Sequence, residues 1–156
     1  MFMRSIQSLC LIQSILMKTD LSNATFIIPI RIESDDRLRN VVTSIAFLVE
    51  NFDTNIIVKE VDKESVFQTE VLPIFEEILE VDLWKNFHHI FERSEEPLFH
   101  RQRVLNEMIA ECETDIVVNY DCDVILPMKS YELAYNGITE GIYDVVYPYG
   151  SGMYQK

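Results

Sequence analysis

The chain has 156 residues, with Lys+Arg 13 against Asp+Glu 26, a formal net charge of -13 at pH 7. Nearly half of it is apolar (48%) and a quarter charged (25%), a globular composition that excludes a disordered or collagen-like chain. A net charge of this sign repels phosphate backbones and anionic membranes, and no basic block opposes it, so nucleic acid is not an expected partner.

Residues 1–20 read as an N-terminal extension in the form of a loosely packed amphipathic helix. The apolar run from Ile6 to Met17 is broken by Gln7, Ser8, Gln13 and Ser14. It is too polar for a signal core and too short for a bilayer crossing, so no integral membrane span is expected. Residues 21–156 read as one domain.

From Thr25 onward, short β-branched runs alternate with stretches of helical periodicity, which predicts an α/β fold with a Rossmann-like, mainly parallel sheet flanked by helices. Residues 26–30 (Phe-Ile-Ile-Pro-Ile) are continuously apolar, as in a strand buried on both faces. Ser34 or Asp35 caps a helix whose inner stripe is Leu38, Val41, Val42, Ile45, Leu48 and Val49. Residues 55–61 form a second strand around Ile56, Ile57 and Val58. A second helix is predicted over 70–83, with Val71, Ile74, Phe75, Ile78 and Leu79 inward and Pro73 in its first turn.

Residues 88–91 predict a short strand, and Trp84 a core position. Pro97 marks the start of a third helix, whose buried stripe is Leu98, Leu105, Met108, Ile109 and Cys112. Residues 116–118 read as the clearest buried strand in the chain, ending in Asn119-Tyr120-Asp121-Cys122-Asp123. A last helix spans about 130–138 and stops at Gly141, and residues 144–147 begin one more strand.

Two counts narrow the chemistry. Cys10, Cys112 and Cys122 are odd in number and widely spaced, which argues against disulfides and structural zinc and for an intracellular, cytoplasmic protein. The four glycines (137, 141, 150 and 152) all fall at the carboxyl end, so no glycine-rich phosphate loop exists in the first 136 residues. A bound nucleotide needs another anchoring device.

In open parallel sheets, ligands bind beyond the carboxyl ends of strands. The acids there are Glu33, Asp35 and Asp36 after the first strand, Glu60 and Asp62 after the second, and Asp121 and Asp123 after residues 116–120. The first three suit capping and solvation. Asp121 and Asp123 interrupt an apolar stretch, which predicts partial burial, and alternate positions of extended chain point them the same way. A divalent cation would neutralise both, and oxygen-only ligation selects Mg²⁺ or Mn²⁺. Just upstream, the basic segment 99–106 brings Arg101, which either reaches a diphosphate or pairs with Glu96 or Glu107 on a solvated face.

Taken in order, Thr25 to Arg31, Arg37-Leu38-Arg39-Asn40, Phe99-His100-Arg101 with Leu105-Asn106, and Asp121-Cys122-Asp123 through Pro127 resemble the nucleotide-binding half of GT-A glycosyltransferases. The likeness is to the family-two type and to the amino-terminal region of β-1,4-galactosyltransferases, over about residues 25–149. The resemblance implies that Pro29, Ile30 and Arg31 line a nucleotide pocket and that Glu60 or Asp62 approaches uracil. It further implies that Arg101 faces the diphosphate, Asp123 ligates the metal, and Asp121 contacts the sugar or the metal. The implied reaction moves a sugar from a nucleotide-diphosphate donor, in the first instance a UDP-sugar, to a hydroxyl of an acceptor glycan or another compound.

Such enzymes carry an acceptor-binding half, with the general base, after the Asp-x-Asp element. Only 33 residues follow Asp123 and none is histidine. The expectation is therefore a donor-binding domain lacking its acceptor half, weakly active or inactive alone and prone to self-association through exposed apolar surface. Two alternatives stand beside it: a HAD-like phosphatase using Asp121 and Asp123, and a non-catalytic α/β interaction module.

Overall fold

The computed structural model describes residues 18–79 and 85–148. Positions 1–17 of the predicted N-terminal extension, Trp84, and positions 80–83 of the predicted second helix lie outside the described residues; Thr19 and Asp20, read as part of that extension, belong instead to the first strand.

Among the described residues, four strands and four α-helices alternate: β1 (Thr19–Ile30), α1 (Asp35–Asn51), β2 (Phe52–Asp62), α2 (Leu72–Ile78), β3 (Phe87–Arg93), α3 (Arg101–Ala110), β4 (Ile116–Asn119) and α4 (Met128–Thr139). The strands make one sheet in the order β3-β2-β1-β4, parallel at every pairing. This is the Rossmann-like α/β architecture expected of the sequence. Ile27 sits opposite Ile57 on one side and Asn119 on the other, which makes β1 central.

Because side chains alternate across a strand, the two faces bury different sets. On one face Phe26, Ile28, Ile56 and Val58 meet Ile45 and Leu48 of α1, Phe67 and Phe75 around α2, and Tyr131 of α4. On the other face α3 covers Ile27, Ile57 and Val61 with Val104, Leu105 and Met108. The chain adds β2 and β3 on one side of β1, then crosses through α3 to place β4 on the other side. The direction of winding reverses at the β1/β4 boundary, which is where ligand crevices form in such sheets.

Several elements differ from the sequence expectation for identifiable reasons. The helical run after β2 opens as a single π-helical turn, Phe67–Val71, three residues before its predicted start. The widened turn leads into Pro73, whose ring nitrogen has no hydrogen to give to a normal ladder. Ile78, predicted inward, is 54% exposed. Helix α3 begins at Arg101 rather than Pro97, because the carbonyls of Glu96 and Pro97 turn away to accept from the Arg31 guanidinium. Leu98 is then left in a loop, exposed, and Ile109 falls outside the narrow strip that α3 lays on the sheet.

Strand β4, read from the sequence as a buried strand, is buried only in part. It is an edge with Val117 open to solvent, and residues 144–147 form no strand. Helix α4 ends as expected at Gly141, whose φ of 68° suits the left-handed cap.

Candidate functional site

A cleft of about 390 Å³ lies at the carboxyl ends of β1 and β4, at the winding reversal. Pro29, Ile30 and Arg31 come from the end of β1, Arg101 from the first turn of α3, and Asp121 and Asp123 from the segment after β4. Six of the eight residues singled out in the sequence therefore share one cavity. Arg37, Asn40, Val41, Phe99 and Cys122 complete its lining.

The wall from β1 is held by Arg31, a buried side chain with 8% exposure. Its Nε donates to the Val61 carbonyl at 2.9 Å, and its two terminal nitrogens to Pro97 O at 3.1 Å and Glu96 O at 3.2 Å. The Phe99 ring lies under it, 5.6 Å from ring centre to guanidinium carbon. These partners are carbonyl dipoles and a π face rather than a carboxylate. They satisfy the donors and leave the positive charge uncancelled beside the cleft.

The opposite wall follows from β4. Tyr120 keeps the sheet going for one more bond, donating its N–H to Ile27 O at 3.1 Å, and then the chain turns, with Val124 N donating to Asp121 O at 3.3 Å. Residues 121–123 are thus a turn, not the extended chain expected, and both aspartates are exposed rather than partly buried. Cys122 is the inward residue between them, and Ser44 Oγ of α1 donates to its carbonyl at 2.6 Å to fix the turn. Burial, reinforced by the charges of Asp121 and Asp123, pushes the Cys122 thiol up to about 12.

Arg101 pairs with Asp121 and also donates to Asn119 Oδ1 at 3.2 Å, so neither Glu96 nor Glu107 takes it. Glu107 is engaged instead by Arg103 and Lys59. Helix α1 presents its first turns to the cleft through Arg37 and Asn40, while Ser34 caps it and Asp35 and Asp36 offset the positive end of its dipole. Three arginines against two aspartates make this cleft locally positive in a strongly acidic chain.

Glu60 and Asp62 do not line the cleft. The Glu60 side chain is fully buried under the π-helical turn, accepting from Ser65 Oγ and from the N–H groups of Val66 at 2.9 Å and Phe67 at 3.1 Å. His89 Nε2 stands 3.4 Å from its Oε2, with no hydrogen-bonded partner among the described residues. Burial raises the Glu60 carboxyl, but these donors and His89 outweigh it and hold the group below its ordinary value. Its acceptors serve the fold. Asp62 caps the following turn by accepting from Lys63 N at 2.8 Å.

Among the described residues, no group of three or more His, Cys, Asp or Glu side chains is gathered as a complete metal cage. None of the helices described is long and apolar enough to cross a membrane. Comparison of the chain with protein-family models, with curated proteins and with solved structures finds no match.

Proposed function

We propose that the chain is the nucleotide-binding domain of a GT-A-type glycosyltransferase. It holds a nucleotide-diphosphate sugar, in the first instance a UDP-sugar, for transfer to a hydroxyl of an acceptor glycan or related compound. The observation that carries this reading is the convergence of Pro29, Ile30, Arg31, Arg101, Asp121 and Asp123 on one cleft at the winding reversal.

The residues present fit Mn²⁺ or Mg²⁺ as a shared rather than an enclosed guest. Asp121 and Asp123 offer exposed carboxylate oxygens at the mouth, and the thiol between them turns inward against the core, so the donors facing the cleft are oxygens. Two carboxylates leave the other coordination positions to phosphate oxygens and water, the usual arrangement for Mg²⁺ beside a nucleotide. When bound, such a cation neutralises charge on the leaving diphosphate.

The chain's own residues do the rest. Arg101 presents a guanidinium that can meet phosphate oxygens in a bidentate fashion, and Arg31 and Arg37 add a positive field that draws the diphosphate inward. Pro29 and Ile30 supply an apolar wall for a flat base or ribose.

Thermal unfolding with UDP and Mn²⁺ tests the reading. Nucleotide at about a hundred times its Kd contributes about 2.7 kcal/mol, a rise of about 5–10 °C in Tm for a domain of this size. Asp123→Ala is expected to abolish that rise. No rise in the native chain, or an equal rise in Asp123→Ala, overturns the proposal.

A further inference from the structure

A second concavity, about 480 Å³, runs along the outer side of β4, the end strand of the sheet among the described residues. Leu21 and Ala24 of β1, Val117 of β4, and Ala134 and Tyr135 of α4 line it, with Tyr147 at the rim. The rim is apolar yet wet: Val145 is 69% and Tyr147 80% exposed. A surface of this kind on an edge strand calls for an occupant.

We propose that the occupant is the chain's own N-terminal segment, residues 1–17, seating its apolar side chains along β4 and α4. Position argues for it first. The segment joins the described body at Lys18; the next residue, Thr19, donates through Oγ1 to Glu132 of α4 at 3.2 Å, and two residues later Leu21 is already in the groove wall. Residues 1–17 therefore depart from the groove's own margin.

Composition argues next. Eleven of these 17 residues are apolar and Arg4 is their sole charge, in a chain that is 25% charged overall. Withdrawing these apolar side chains from water is favourable, and the groove is an apolar surface within reach. Length suffices, since 17 residues span about 25 Å as a helix against about 18 Å for the 12 residues of α4. A tether so short holds the segment at an effective concentration of order millimolar, which favours it over a second copy of the chain arriving from solution. Asp121 lines both concavities, so a seated segment is contiguous with the candidate site.

Cys10 provides the test. In the full chain carrying Cys112→Ala and Cys122→Ala, a thiol introduced by Ala134→Cys is expected to be joined to Cys10 within one chain by a short bis-maleimide. The rate should be at least tenfold above that for a control thiol from Ile109→Cys, exposed on α3 over the other sheet face. Links between two chains would give the groove to a second copy, and equal rates at the two positions would leave the segment unseated; either result overturns the proposal. Hydrogen exchange supplies a readout with the native cysteines. Removing residues 2–16 is expected to speed exchange of the Ile116–Asn119 amides at least tenfold while α1 stays unchanged, and unchanged β4 amides overturn it.

Discussion

Asp121 and Arg101 face each other as an ion pair across the mouth of the cleft, and the same guanidinium nitrogen reaches Asn119 Oδ1 at 3.2 Å. Both side chains are substantially exposed, 55% and 39%, so the pair stabilises the fold by no more than about 1 kcal/mol. Either partner can be released at small cost, as the proposed binding of a cation by the carboxylate and of a phosphate by the guanidinium requires.

Arg101→Ala therefore separates ligand binding from folding. Its denaturation midpoint is expected to stay within the equivalent of about 1 kcal/mol of the native chain. Affinity for UDP with Mn²⁺, measured by calorimetry, is expected to fall tenfold or more, the loss of a charge-assisted bond of about 1.5–3 kcal/mol. Native affinity in this variant would remove Arg101 from the diphosphate position.

Glu60→Gln tests the opposite kind of acid. The buried carboxylate accepts from Ser65 Oγ, Val66 N and Phe67 N beside His89, and an amide turns one acceptor into a donor facing those donors. The expected cost in urea unfolding at pH 7 is about 3 kcal/mol. The folded-state value of Glu60 lies below its ordinary 4.5, so its contribution is complete above that pH and disappears as the pH falls through the depressed value. The acid limb of the stability profile should accordingly be shallower in Glu60→Gln than in the native chain. Parallel limbs would show that Glu60 titrates alike in folded and unfolded chains.

How far the sequence disclosed this arrangement depended on whether the signal was local. The apolar run ending at Arg31 and the acids following Val118 mark strand termini, and strand termini in a parallel sheet are where ligands gather, so Pro29, Ile30, Arg31, Asp121 and Asp123 were legible. The edge position of β4 was not, because it follows from the order β3-β2-β1-β4, which no periodicity encodes. Glu60 was misplaced because its partners are largely backbone N–H groups of a π-helical turn. Arg37 and Asn40 carried a weak signal, a spacing of three at the start of a capped helix that follows a candidate site strand.

Cys122 reports whether the turn between the aspartates stays closed. With the thiol at about 12, about one molecule in 10⁴ is a thiolate at pH 8. Iodoacetamide at that pH, followed by peptide mapping, is expected to label Cys122 at least tenfold more slowly than an unperturbed thiol. Labelling at the free-thiol rate would mean that the turn pinned by Ser44 opens.

Arg31→Lys probes the wall of the cleft by keeping the charge and removing the fork. The guanidinium ties the Val61 carbonyl at the end of β2 to Glu96 and Pro97 in the loop before α3, and those two carbonyls are the reason α3 starts at Arg101. One ammonium cannot meet all three in the same geometry, and each buried carbonyl left without a donor costs about 1–3 kcal/mol. Unfolding is expected to shift by about 2 kcal/mol, and amide exchange in residues 94–100 to rise, because the loop loses its anchor. Nucleotide affinity should fall with it, since Phe99 and Arg101 stand on that loop and the helix it begins. If Arg31→Lys matches the native chain in both exchange and affinity, the clamp does not shape the cleft, and the positive charge alone accounts for what Arg31 contributes there.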